Sequence, residues 1–586
     1  MSFIHRRMNI YRLADFNVTP LIVSMDERRT KVLIVGGGPV GLALAIELGW
    51  RGIDCVLVDR RDGSIPLPKM NGVNARTMEF CRRWGIADRV RHAGWPEDYP
   101  VRMVFCTGVR GHELHRYDRG TALDRKPSPT TPEHFQRCPQ TWFDPILREH
   151  ARSMPTNTLL YRTRLERFED RGSDVVAAVV DVDSGAEHRI VADYMVACDG
   201  AHSGVRQTLG IPADGDSRLS HEINVYFESS EVFAGREAQR AAMSWLIGPD
   251  GMWGALSAID GRKTWRLWLS HMPPDTDIDT FDGARYVRAA IGDGVPFRLF
   301  GVLPWVRQQL VARRYRAGRV FLCGDAVHNL TPTGGFGMNT GIQDAVDLGW
   351  KLAATFDGWA GAGLLDSYEF ERRPVAVRNV DEASHTYALV DNLPRLPALD
   401  DDSAEGRRAR AELSALLATP QYSREYRNEG IVLGYRYDPS PICVPDGTPA
   451  PPDWVMTYEP NARPGSRAPH ALLSDGRSTL DHFGRGFVLL RLGDAPPSSQ
   501  SIADAARLRG MPLEEVAIRE EEVLCRYGSR LVLVRPDGHV AWRADLAPVD
   551  ADALGLIDTV RGATPRPVEP AVPEVYGAVP TEVAAR

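Results

Sequence analysis

The chain has 586 residues, a net charge of −7, 43% hydrophobic and 25% charged residues. That length is too great for one core and suggests about three or four domains; the small negative charge leaves no basic footprint for nucleic acid, and no apolar run reaches the roughly 18 residues a membrane span needs. Eight cysteines stand singly, with no CxxC and no paired zinc spacing, which points to free thiols in a reducing, cytoplasmic setting and to no metal site.

Residues 1–29 read as an N-terminal arm. The first 24 lack the uninterrupted apolar core of a signal peptide, and would be upstream sequence if translation begins at Met25. Lys31 to Arg60, KVLIVGGGPVGLALAIELGWRGIDCVLVDR, then reads as strand, glycine turn, helix and strand. Gly36-Gly37-Gly38-Pro39-Val40-Gly41 fits G-x-G-x-x-G, in which Gly36 permits the tight turn, Gly38 lets the backbone approach a pyrophosphate and Gly41 lets helix and strand pack closely. The first amide N–H groups of that helix lack intrahelical partners and point at the phosphates. Asp59, 18 residues after Gly41 and just before Arg60, is placed to accept from a ribose diol. A carboxylate there repels a 2′-phosphate, so the cradle favours FAD or NAD over NADP.

Lys69 to Phe80 is loop-like until Thr77 begins a helix, and Arg76 stands at that boundary. Residues 95–140 look irregular. Cys138 to Ala151 reads as a turn into a helix that Gln140 opens. Leu159 to Phe168 and Val175 to Val182 read as paired strands joined through Arg171-Gly172, and Arg189 to Cys198 as a further strand delivering Asp199-Gly200. Residues 210–300 change character to strand-rich. Ile259-Asp260-Gly261-Arg262 marks a hairpin in an antiparallel sheet whose Tyr226, Trp245, Trp253, Trp265 and Trp268 are candidates either for core or for an apolar pocket. Arg319 to Leu322 is a strand that leads into Cys323-Gly324-Asp325 and a glycine loop. The helix that follows begins near Met338-Asn339, with a positive end suited to the anionic edge of a reduced flavin. A Pro-dense stretch to residue 465 reads as a linker, a final domain spans 466–561 with a hairpin turning through Pro536-Asp537-Gly538, and 562–586 is a tail with little pattern.

Three segments in this order, the GxGxxG with Asp59, DGAHSGVR at 199–206 and CGDAVHNLTPTGGFGMNTGIQDAVDLGWKL at 323–352, resemble the single-component flavoprotein aromatic hydroxylases, the class that includes 4-hydroxybenzoate and phenol hydroxylase. PGSRAPHALL at 464–473 resembles the start of the thioredoxin-like C-terminal domain of the phenol hydroxylase branch; without a CxxC, its use would be packing or homodimerisation. The resemblance implies an α/β fold. A Rossmann-like FAD-binding domain would be built from 30–209 and 301–395. An antiparallel substrate domain would cover 210–300, a helical segment and linker 396–465, and the thioredoxin-like domain the rest.

By the same resemblance, Gly36, Gly38, Pro39, Val40, Gly41, Asp59 and Arg60 would hold the ADP half of FAD. Arg76 and Gln140 would contact the pyrophosphate or ribityl region. Asp199 and Gly200 would serve FAD and the nicotinamide cofactor, and Gly324 and Asp325 the ribityl chain. Gly337, Met338 and Asn339 would meet the isoalloxazine, and the Pro332 carbonyl would face the substrate hydroxyl. The implied reaction is reduction of the flavin by NADPH or NADH, addition of O2 to form a flavin hydroperoxide, and transfer of oxygen to a phenolic or other electron-rich ring. Phenol hydroxylase has an aspartate where this chain has Asn71, so His221, His328 or Tyr226 become candidates to help a phenol ionise. Epoxidation or Baeyer–Villiger oxidation of a polycyclic natural product, and flavin binding without catalysis, are the alternatives.

Overall fold

A computed structural model describes residues 27–568. The first 26 residues of the expected arm and the end of the expected tail lie outside the described residues. The arm is shorter than expected at its inner end: the first strand runs Glu27–Val35, because Glu27 already pairs with Arg189.

The first sheet runs, from one edge, 316–317, 320–322, 187–197, 27–35, 55–59 and 157–161. Its central strands, VLIV and CVLV among them, are apolar on both faces because helices cover both sides. The pairings among the four strands 320–322, 187–197, 27–35 and 55–59 are parallel, and the register places Val35 beside Ala197 and Ala197 beside Leu322. Three strands therefore end at one level, and the turns after them emerge side by side. Where one strand was expected over Leu159 to Phe168 there are two, Asn157–Tyr161 and Thr163–Asp170, broken at Arg162 in the left-handed region (φ 56°).

The second sheet has eight strands, ordered 328–329, 298–312, 213–228, 264–269, 251–258, 243–248, 102–106 and 113–118. It reaches well beyond residues 210–300. The stretch 95–140, expected to be irregular, supplies Arg102–Cys106 and Glu113–Asp118 as the strands at one edge, and Arg298–Ala312 pairs along most of Ala213–Glu228. One face of this sheet packs on the helix Gly283–Ile291 through Ile223, Val225, Phe227 and Trp265. The other carries Trp245 and Trp268 toward Tyr387 of the long helix Ser367–Asp391.

The third sheet, 513–518, 487–492, 531–534 and 540–544, has one parallel and two antiparallel pairings, with helices Gln500–Leu508 and Asp550–Val560 against it. This is the thioredoxin-like domain, and Cys525 is its single cysteine. Its hairpin tip is driven into the first domain: Arg535 is wholly buried against Glu371 and Asp347 of the nucleotide-side helices. All eight cysteines are free thiols. Among the described residues, no helix is long and apolar enough to cross a membrane and no group of three or more His, Cys, Asp or Glu could hold a metal ion.

Candidate flavin and substrate site

The aligned strand ends build the site. Gly36 follows Val35 with φ 111°, and a side chain there would overlap the Cys198 carbonyl on the neighbouring strand end. Gly41, in the first turn of the helix Pro39–Trp50, sits so close over the glycine turn that a Cβ would overlap the Gly36 carbonyl. A Cβ on Gly38 meets nothing within 4 Å, so the backbone at the helix start is open to an approaching group. Val40 is clasped by Gly324 and Gly341, which locks the first glycine turn to the third strand end. Asp59 accepts from the Gly37 N–H at 2.7 Å through Oδ2 and from the Arg61 N–H at 2.7 Å through Oδ1. Oδ1 also accepts from Arg61 Nε at 3.4 Å, while Oδ2 keeps a second lone pair for a ribose hydroxyl. Arg60 lies exposed beside it.

The second and third strand ends add acids. Asp199 accepts from the Val205 N–H at 3.2 Å, while its Oδ1 is buried with no protein partner. Buried polar atoms are rarely left so, and an orphan at this edge fits a hydrogen-bonding ligand. Asp325 is open to solvent, yet burial is the main cause that raises its carboxyl, with His328 and Lys69 pulling the other way. An acid that is accessible while protein surrounds it lines a cleft. Gly335 caps the helix Phe336–Phe356, whose first-turn N–H groups at Gly337 and Met338 lack intrahelical partners, and a Cβ on Gly337 would meet nothing within 4 Å. These donors, the orphan oxygen and the open glycine backbone fit the phosphates, ribityl hydroxyls and anionic ring edge of FAD.

Several expected contacts are placed elsewhere. Arg76 does not face the cleft. It is buried, paired with Glu79 at 2.8 Å, and donates to the Asp537 carbonyl of the C-terminal domain at 2.8 Å. The Gln140 side chain is committed to the Lys69 N–H and to Asp144. The Asn339 side chain accepts from the Asn74 N–H and Thr77 hydroxyl and donates to the Gly72 and Gly335 carbonyls, so it ties the 72–77 loop to the helix start rather than reaching outward.

The candidate proton acceptors fare no better. His221 lies on the same strand face as Ile223 and Val225, away from Glu222, Asn224 and Tyr226. His328 is buried and bonded at 2.7 Å to Asp344, which also pairs with Arg372. Tyr226 donates to the Pro68 carbonyl at 3.0 Å, and burial raises its phenol. Asn71 Oδ1 is buried without a partner, and Pro332 is exposed at the loop before the helix.

Above that loop stands an aromatic wall. Trp245 and Trp268 meet edge to face at 5.5 Å, and the Arg307 guanidinium lies over Tyr387 at 3.8 Å, Trp268 at 4.9 Å and Trp305 at 5.2 Å. Trp265, by contrast, belongs to the opposite core and donates to the Ser229 carbonyl. One residue missed from the sequence is Glu425, whose carboxylate accepts the Gly334 N–H at 3.3 Å beside this wall.

Comparison with known proteins agrees with the geometry. Residues 29–383 match the family model described as FAD binding domain, and residues 461–563 the model described as aromatic-ring hydroxylase, C-terminal. The chain is 35% identical over 576 residues to an FAD-dependent monooxygenase, apdD, of Emericella nidulans, covering 91% of this chain and 90% of that protein. Its fold is similar to the rebeccamycin biosynthetic enzyme RebC solved with reduced flavin, at TM-score 0.85 and 41% identity, covering 92% of this chain and 100% of that one. It is also similar to aklavinone-11 hydroxylase in a ternary complex with FAD and aklavinone, at TM-score 0.77 and 30% identity, covering 92% and 99%.

Proposed function

The chain belongs to the FAD-dependent aromatic-ring hydroxylases, and from that premise we propose that it hydroxylates a polycyclic phenol, with NADPH or NADH as electron donor and O2 as oxygen source. FAD, when bound, supplies the electron transfer and oxygen activation. The chain supplies placement. Gly36, Gly38, Gly41 and Asp59 would hold the ADP half, Asp199 Oδ1 and Asp325 the middle, and the Gly337 and Met338 N–H groups the anionic ring edge, where a helix end carries roughly half a positive charge. The Pro332 carbonyl would orient the substrate hydroxyl. The Trp245, Trp268 and Trp305 side chains would cover the ring and keep water from the reacting oxygen.

The observation that carries this reading is the convergence of three strand ends and one glycine-capped helix start beneath an aromatic wall. The polycyclic size is supported by the relatives, whose names refer to rebeccamycin biosynthesis and to aklavinone. Purified protein should be yellow, and a panel running from simple phenols to hydroxylated anthraquinones should contain a member that stimulates NAD(P)H oxidation together with O2 consumption. Protein that stays colourless after incubation with FAD, or flavoprotein whose NAD(P)H oxidation no member of the panel stimulates, would refute it.

A further inference from the structure

Building on the proposed hydroxylation, we propose that Glu425 is the proton acceptor for the substrate's phenolic hydroxyl, a task that neither Asn71 nor the histidines can perform here. Glu425 follows the short turn Pro420–Ser423 and precedes the helix Glu429–Leu433. From there its Oε1 accepts the Gly334 N–H at 3.3 Å. Gly334 lies two residues after Pro332 and three before Gly337, so the carboxylate joins the loop that separates the flavin-facing helix start from the aromatic wall.

The surroundings suit a base. Glu425 is half-buried, with Trp245 and the Arg119 and Arg307 guanidinium groups beside it. Burial pushes its carboxyl up to about 7, while the Gly334 N–H, Trp245, Arg119 and Arg307 pull down. A carboxyl near neutrality can both take a proton and release it. Arg307 pairs with Glu222 through Nε at 3.2 Å but has a buried Nη1 without a partner, and Arg119, stacked on Tyr426, has its charge disfavoured by burial. Both would be relieved by a phenolate.

The other groups that could serve are spent. His328 is held by Asp344, the Tyr226 hydroxyl by the Pro68 carbonyl and the Glu222 carboxylate by Ser220, Trp268 and Arg307, and His221 faces the opposite core. In the step itself the phenol O–H bond breaks, its electron pair stays on the phenolate oxygen, and the proton passes to Glu425 Oε2, from which it returns to solvent after the oxygen is transferred. The ring, now more electron-rich, is the better nucleophile.

The test uses the FAD-loaded enzyme and 1,2-dihydroxyanthraquinone, a dye that reddens on losing a phenolic proton. Bound to wild-type enzyme, the dye should ionise at lower pH than in free solution. In E425Q, dye affinity should stay within about threefold, while the rate at which ionised bound dye forms after stopped-flow mixing near neutral pH falls about tenfold, because a proton acceptor acts on the rate of transfer. E425D, whose carboxylate stops one methylene short, should lie between. Equal rates of ionisation on wild type and E425Q overturn the proposal, as does wild-type enzyme that ionises the dye no more than water does or leaves the dye and flavin spectra unchanged. NAD(P)H oxidation is not part of this readout, so a failure of the hydroxylase reading would be seen separately, as dye ionised by Glu425 in an enzyme that no phenol stimulates.

Discussion

Replacing Arg535 by methionine should loosen the C-terminal domain from the flavin domain. Arg535 leaves the strand Leu531–Val534 and bonds Glu371 at 2.9 Å, Asp347 at 3.1 Å and Asp537 at 2.8 Å, while Lys351 bonds Asp347 and Glu371 at 2.7 Å each. All five side chains are at most 2% exposed. Two cations thus face three carboxylates. Burial pushes Asp347 up to about 7, and the same burial at Glu371 is outweighed by Arg535 and Lys351, which hold it down to about 2. Methionine keeps the stem's volume and removes one cation, and losing one partner of a buried ion pair costs about 3–5 kcal/mol. Urea unfolding followed by fluorescence should lose that much, with an early transition for the C-terminal domain.

The pH dependence of that loss has a definite sign. Stability from the raised Asp347 is full below its unfolded value of 3.8 and declines as pH rises toward about 7. Stability from the depressed Glu371 is present above 4.5 and is lost as pH falls toward about 2. Without Arg535, both carboxyls become easier to protonate, so the variant's deficit should be larger at pH 8 than at pH 5. A loss below about 1 kcal/mol, or one equal at the two pH values, would refute the reasoning.

Other outcomes follow from the cradle. G41A, whose methyl would overlap the Gly36 carbonyl, should purify without flavin and show no recoverable FAD binding by fluorescence quenching. D199A removes the oxygen that has no protein partner, and FAD affinity by titration should fall about tenfold, the worth of one hydrogen bond to a charged group. R76M should keep FAD affinity within about threefold while losing about 3 kcal/mol of stability, because it leaves buried Glu79 with one cation, Arg467, and the Thr131 hydroxyl.

What the sequence made legible was local. The turns after Val35, Ala197 and Leu322 could be read because glycine follows each strand within a few residues, joined by a neighbouring acid after Ala197 and Leu322. That they belong to one site required only the right order of parallel strands. Arg76 could not be read that way: one of its partners, Asp537, lies 461 residues away, and nothing near residue 76 marks the guanidinium as an interface group rather than a phosphate ligand. The strands Arg102–Cys106 and Glu113–Asp118 were hidden because the second is an edge strand whose polar side chains are partly solvated, which erases the apolar alternation. His221 carried a usable signal that went unread: it is an odd number of residues from Tyr226, so one continuous strand cannot turn both toward one pocket.

Glu425 carried none. In QYSREYRNEG at 421–430, a run of polar, charged and Tyr residues, it looks like any solvated surface acid, and what sets it apart is enclosure by strands and loops drawn from residues 119, 245, 307 and 334. Cofactor cradles are written in backbone geometry, which short motifs encode. Proton acceptors are written in the environment that shifts their affinity, which is assembled across the chain, so the glycine turns could be read before the fold, whereas Arg76, Gln140 and the proposed acceptor could be placed only after it.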